Sequence, residues 1–327
     1  MGLRVCPGRP RRRLVGGLLA LALLTGCQRS PEPPAAESTK PLVVATFYPL
    51  YEFARQVGGE GVEVVALVPP GVEPHDWEPT PADVARVSKT RVFVYNGAGM
   101  EPWVDRLLGE VLPRTAVAVR ATEGLPLVKP DLPRHAHGHT PTGAREATTG
   151  GDALDPHVWL DPVLAVSQVD TISAALTGAD PASAAIYAEN TRQYRTALEG
   201  LHQAFEQGLA KCRRRDFVVS HAAFGYLARR YRLTQVAVMG LAPEAEPSPA
   251  EMAAVVRFIR RQRVTHVFFE TLVSGKLAET LARETGVGTL VLNPVEGLTP
   301  EEAAAGKTYL SLMEANLEHL RLGLGCQ

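Results

Sequence analysis

Three histidines stand where an imidazole is presented rather than packed. His75 lies in "GVEPHDWEPTP" (Gly71–Pro81), among Glu73, Asp76 and Glu78. Pro74, Pro79 and Pro81 stiffen that stretch, and a proline-framed run continues neither a helix nor a central strand. His157 lies in "DPHVWLDP" (Asp155–Pro162), between prolines and aspartates and just before a helix. His221 ends a strand in "VVSHAAFGYL" (Val218–Leu227). Imidazole is the commonest side chain for holding a metal ion. Each histidine also has a plain reading: a turn cap for His75, a packed helix start for His157, a backbone-bonded core residue for His221. His202, His266 and His319 read as structural or surface residues. No HExxH or CxxC pattern occurs, so spacing alone makes a weak case. A further set, His135, His137 and His139, alternates within "RHAHGHTPTGAREATTGG" (Arg134–Gly151). The surrounding Gly124–Asp155 is polar, long and poor in large apolar residues, which reads as a mobile surface loop.

The elements that would position these residues form an α/β pattern. "LVVATF" (Leu42–Phe47), "VEVVALV" (Val62–Val68), "RVFVYNG" (Arg91–Gly97) and "TAVAV" (Thr115–Val119) read as strands, with a helix over Leu50–Val57. Near-continuous Val and Ala runs suit a parallel sheet buried on both faces. The pattern restarts with "DFVVSH" (Asp216–His221), "TQVAVMG" (Thr234–Gly240), "THVFFE" (Thr265–Glu270) and "GTLVLN" (Gly288–Asn293). Two runs of βα units predict two lobes, residues 42–179 and 213–327, with mainly parallel sheets. Between them, "PASAAIYAENTRQYRTALEGLHQAFEQGLAKC" (Pro181–Cys212) predicts one long rigid helix over 180–212. Asp180 is the candidate cap and Pro181 fits the first turn. Ile186, Tyr187, Tyr194, Leu198, Leu201, Phe205 and Leu209 form its apolar stripe. About 30 residues would span roughly 45 Å, a rod that opposes wide hinge motion; the alternative is two helices broken near Gly200. Ligands of open α/β sheets bind beyond the carboxyl ends of strands, and His75 and His221 sit there, one from each lobe. A cleft between the lobes would bring them together.

The composition is that of a soluble globular protein: 45% hydrophobic and 21% charged residues over 327 positions. The formal charge of −1 hides an asymmetry, because residues 1–27 carry five arginines and no acid. The remainder has 29 basic against 35 acidic side chains, a net of −6. Such a body is a poor nucleic-acid binder and is compatible with cations. Residues 1–26 read as an export signal, with an arginine-rich start and the apolar "LVGGLLALALLTG" (Leu14–Gly26), too short to span a bilayer comfortably. Its end, "LTGC" (Leu24–Cys27), resembles the lipobox of bacterial lipoproteins, which implies cleavage before Cys27 and acylation there. Residues 27–41 then form a lipidated, proline-rich tether. With Cys6 lost and Cys27 acylated, Cys212 and Cys326 remain; outside the cytoplasm they predict one disulfide, with two free thiols as the alternative.

Six separated motifs occur in order: "PHDWEPTP", "DPHVWLDP", "VVSHAAFGYLARRY", "EPSPAEM", "VFFETLVSGKLAETLA" and "LNPVEGLT". Together they resemble the metal-binding lipoproteins of bacterial zinc and manganese ABC importers, the cluster A-I solute-binding proteins, and the zinc branch in particular. The resemblance runs from Leu42 to Cys326. It implies two (β/α) lobes on a long helix, a metal site in the inter-lobe cleft, and partners in a permease and its ATPase. It implies an extracytoplasmic protein, lipid-anchored or periplasmic, acting as a monomer that delivers Zn2+ and is not an enzyme. The first three ligands fall on His75, His157 and His221. The fourth, a carboxylate, falls on Glu296, because the position where many relatives carry Asp reads Asn293; Glu270 is the reserve. Three imidazoles and a carboxylate make a tetrahedral site suited to Zn2+, whereas manganese favours more oxygen. Asp155, Asp161, Asp76 and Glu78 are candidates to orient the imidazoles. The loop histidines 135, 137 and 139 resemble the low-affinity His-rich loop of zinc-branch members. A manganese-binding relative, an adhesin of the same fold and a zinc hydrolase with Glu296 as general base are the alternatives. Four protein ligands would leave a hydrolase no open position for water.

Overall fold

The computed structural model describes residues 40–130, 153–243 and 247–327. The expectations for the export signal, Cys27 and the three loop histidines fall outside these residues. None of the described helices is long and apolar enough to cross a membrane.

Two four-stranded parallel sheets organise the chain. The first holds β1 (Leu42–Ala45), β2 (Glu63–Ala66), β3 (Val92–Tyr95) and β4 (Val117–Arg120) in the order β2-β1-β3-β4. The second holds β5 (Asp216–Val219), β6 (Thr234–Ala237), β7 (His266–Phe269) and β8 (Gly288–Val291) in the order β6-β5-β7-β8. The two orders are equivalent, so the lobes repeat one topology. Val43, Val44, Ala45, Val92, Phe93 and Val94 are all fully buried. Consecutive residues of a strand point to opposite faces, so the central strands are covered on both sides, as their unbroken apolar runs predict.

Helices α1 (Tyr48–Gly58), α2 (Pro81–Val87), α3 (Val104–Glu110) and α4 (Pro162–Ala179) accompany the first sheet, and α6 (Gly225–Arg230), α7 (Pro249–Gln262), α8 (Lys276–Thr285), α9 (Pro300–Ala304) and α10 (Tyr309–Leu324) the second. Between them runs α5 (Ala184–Leu209), 26 residues and about 39 Å long. It passes Gly200 without a break and buries Tyr187, Tyr194, Leu198, Leu201, Phe205 and Leu209. It is shorter than the sequence predicts. Pro181–Ser183 form a separate 3-10 turn, and Asp180 makes no side-chain cap but accepts a hydrogen bond from the Tyr187 hydroxyl at 2.8 Å. Ile186 leaves the stripe and is 53% exposed. The helix packs on α1 and α4 at one end and on α10 further along, and Phe205 stacks on Tyr231 at 5.1 Å. One apolar cluster therefore runs from Val43 through Phe205 to Leu320 and serves both sheets.

Cys212, just past α5, is disulfide-bonded to Cys326, just past α10, closing 114 residues of separation. Closing so long a loop removes entropy from the unfolded chain. Replacing Cys212 and Cys326 by serine should lower the unfolding free energy by about 2–5 kcal/mol in denaturant titration. An unchanged midpoint would show that the bond contributes nothing.

Candidate metal centre

All the candidate side chains hang from loops at the carboxyl ends of strands. His75 follows β2, His157 follows β4 at long range, His221 follows β5 and Glu296 follows β8. Three of these loops end in the same way, at a helix started by a capping side chain and a proline. His75 is five residues before Thr80, which caps α2 through a reciprocal box with Asp83. His157 is four before Asp161, whose carboxylate accepts from Val163 N at the start of α4. Glu296 is three before Thr299, which caps α9 with Glu302. Such starts fix where the chain enters a helix, and so limit how far the preceding residues can stray.

The structure brings His75, His157, His221 and Glu296 together, with one donor atom of each within 4.8 Å of the others. His75 Nε2 lies 3.3 Å from His157 Nε2. Glu296 Oε1 lies 3.5 Å from His75 Nε2, 3.0 Å from His157 Nε2 and 3.5 Å from His221 Nε2. Zinc bonds of about 2.0–2.1 Å set tetrahedral donors roughly 3.3–3.4 Å apart, and these four separations lie close to that value. His157, His221 and Glu296 are at most 1% exposed. Buried His221 Nε2 and Glu296 Oε1 have no hydrogen-bond partner. A buried polar atom without a partner is costly, and a cation between the four donors would satisfy both. Three nitrogens and a single inward oxygen suit Zn2+ better than oxygen-seeking Mn2+.

Each buried imidazole is oriented by a buried acid. Asp155 Oδ1 accepts from His157 N at 3.0 Å and meets His157 Nδ1 at 2.8 Å. Glu270, at the end of β7 beside β5, does the same for His221: Oε1 accepts from His221 N at 3.1 Å and Oε2 meets Nδ1 at 2.7 Å. These contacts aim both Nε2 atoms inward. Glu270 is thus the partner of a donor rather than a member of the cluster, which corrects its place as reserve ligand. Of the other orienting candidates, Asp161 instead pairs with Arg230 at 2.8 Å, and Asp76 and Glu78 are exposed. His75 takes a different support, its backbone N–H donating to Glu73 Oε1 at 3.1 Å. Asn293 is no donor to the site either. Its Oδ1 accepts from Val295 N at 2.7 Å, turning the chain so that Glu296 faces inward. Val295 sits there at φ +57, a strained conformation for a β-branched residue.

Charge in the cluster is interlocked. Burial opposes ionisation of Glu296, yet the surrounding imidazoles hold its carboxyl well below the usual range. Burial likewise favours neutral rings, but Asp155 and Glu296 raise His157, and Glu270 and Glu296 raise His221 well above the ordinary imidazole value.

The family model described as zinc-uptake complex component A, periplasmic, matches residues 43–323. The high-affinity zinc uptake system protein ZnuA of Bacillus subtilis is 39% identical over 311 residues, 93% of this chain and 96% of that protein. The zinc-binding lipoprotein AdcA of Streptococcus pneumoniae is 38% identical over 280 residues, and the match spans 55% of that longer protein. The solved structure of the Zn(II)-bound ZnuA-like domain of the same AdcA has a TM-score of 0.73 and 38% identity, covering 87% of this chain and 99% of that one.

Two outcomes follow from the geometry. A Cβ on Gly225 would stand 2.6 Å from Asp155 Oδ2. Gly225→Ala should therefore turn Asp155 away from His157 and weaken Zn2+ binding about 10-fold or more in competitive titration; undiminished affinity would show that the Asp155 contact is dispensable. Metal binding needs neutral rings, and the raised pKa values of His157 and His221 keep protons on them to higher pH. Apparent Zn2+ affinity should therefore rise with pH through the imidazole range and fall as pH drops. A flat profile between about pH 5 and 8 would contradict it.

Proposed function

The chain belongs to the periplasmic zinc-uptake complex component A family, and on that premise we propose that it captures Zn2+ outside the cytoplasmic membrane and delivers it to an ABC importer. His75, His157, His221 and Glu296 are the proposed ligands. The observation that carries this reading is the largely buried cluster of three imidazoles whose Nε2 atoms lie 3.0–3.5 Å from one carboxylate oxygen. Four protein donors close the coordination sphere, where a catalytic zinc keeps a position for water, and that favours a carrier over a hydrolase.

The permease and its ATPase are the proposed partners, with the chain acting as a monomer anchored by acylated Cys27. We assign the lobes to 42–179 and 213–327, with the linking helix inside 180–212. His135, His137 and His139 are proposed to collect Zn2+ weakly and to add little at the main site.

The test is metal content and competitive titration of the soluble body, residues 28–327, beside single alanine variants. One tightly bound Zn2+ is expected, with large losses in His75→Ala, His157→Ala, His221→Ala and Glu296→Ala. Deletion of 134–151 should leave the tight site nearly unchanged. Tight binding that survives Glu296→Ala would remove the carboxylate from the ligand set. A hydrolytic activity lost in Glu296→Gln with zinc retained would favour an enzyme instead.

A further inference from the structure

Of the buried carboxylates that are neither donors nor their acid partners, Glu101 lies at the strand ends of the first sheet. Glu101 is 6% exposed, and both its oxygens are occupied. Oε1 accepts from Thr46 Oγ1 at 2.6 Å and from Asn96 N at 2.8 Å, and Oε2 accepts from Gly97 N at 3.0 Å. Thr46 follows β1 and Asn96 follows β3, so the carboxylate ties together the two central strand ends of the first sheet. Bringing Glu101 back to β3 takes a turn with three successive left-handed residues: Gly97 at φ +79, Ala98 at +55 and Gly99 at +85. Glycine adopts this conformation freely, but Ala98 does not. The chain holds an unfavourable turn in order to place this acid.

Asn96 passes the anchorage on. Its Nδ2 donates to the Pro156 carbonyl at 2.9 Å, and its Oδ1 accepts from Gln168 Nε2 at 3.1 Å. Its backbone carbonyl accepts from Thr122 Oγ1 at 2.6 Å. A carbonyl can only accept, so the Asn96 amide has one allowed orientation. Pro156 is bonded directly to His157. The residue before the imidazole is thus held from the sheet side, while Asp155 holds the ring and its own N–H. The same knot reaches the other donor of this lobe, because Val68 N, where the chain leaves β2 for the His75 loop, donates to the Thr46 carbonyl at 3.0 Å.

We propose that Asn96, fixed by Glu101 and Gln168, is a positioning residue for the cation site that sets the main chain of His157. The proposal rests on the reading of the four donors as a Zn2+ site. Its chemistry is geometric: tetrahedral zinc tolerates only small displacements of a donor, and a ring steered only by Asp155 could shift with its backbone.

The test compares Asn96→Ala with Ile172→Ala in the full chain. Ile172 is fully buried in the core on α4, and its aliphatic side chain takes no part in these hydrogen bonds. Three quantities are read: Zn2+ affinity by competition, metal-free Tm, and the visible absorption of the Co2+-loaded protein, which reports tetrahedral geometry. Asn96→Ala should lose about 10-fold or more in Zn2+ affinity and alter the Co2+ bands. Ile172→Ala should lower Tm while keeping wild-type affinity and bands. Wild-type affinity and bands in Asn96→Ala would overturn the proposal. So would affinity losses that track Tm equally in both variants. If Asn96→Ala does not fold, Glu101→Gln, which sets an amide against one of three N–H or O–H donors, is read with the same two outcomes. A wild-type protein that takes up no Zn2+ would instead remove the metal-site reading itself.

Discussion

The centre is built around one electrostatic constraint: the carboxylate of Glu296, buried with three imidazoles around a single inward oxygen. Low-dielectric burial makes any unpaired charge or polar atom costly. Two further buried acids, Asp155 and Glu270, sit behind the rings. Counted as carboxylates, the three acids carry more negative charge than neutral imidazoles can balance. Protons held on His157 and His221 are one answer, and a divalent cation is the other. The same acids therefore aim the donors and make the pocket demand positive charge. Cation and protons compete for it.

That constraint explains why the segment from Asp155 to Asp161 is held from every side. Tyr226 OH donates to the Asp155 carbonyl at 2.9 Å, and Trp159 Nε1 donates to the Pro294 carbonyl at 2.8 Å. Tyr309 OH donates to the Trp159 carbonyl at 2.5 Å, and Arg230 pairs with Asp161. Tyr226, Arg230, Pro294 and Tyr309 all come from the part of the chain after α5. The segment carrying His157 is thus shared between the sheets rather than appended to one. The Glu296 loop is tied as firmly, with Asn316 accepting from Asn293 N and donating to the Asn293 carbonyl. The His75 loop joins it through Gly71 N, which donates to the Leu298 carbonyl at 2.7 Å.

Much of this was legible in the chain. Apolar runs such as "LVVATF" could only be strands covered on both faces, because their neighbouring residues alternate sides. The stripe of α5 gave a long helix, although Ile186 showed that one apolar residue in a stripe need not be buried. The expected disulfide between Cys212 and Cys326 is present. The helix starts at Thr80, Ser248 and Thr299 were also written locally, as Ser or Thr, then Pro, then an acid three residues after the cap. Two of these starts, at Thr80 and Thr299, close the loops that carry His75 and Glu296.

The sequence by itself determined the two α/β halves, the long helix between them and the presentation of His75, His157 and His221, because periodicity and proline framing act over a few residues. Only tertiary structure could decide how the acids divide their work. Glu270 and Glu296 are both buried glutamates after strands. Their roles separate because β7 lies beside β5, which aims Glu270 at the back of His221, while the turn at Asn293 and Val295 points Glu296 into the space between the rings. Asn96 and Glu101 were invisible for the same reason: their meaning lies in a carbonyl sixty residues away in the chain, brought into reach only when the first sheet and α4 have packed.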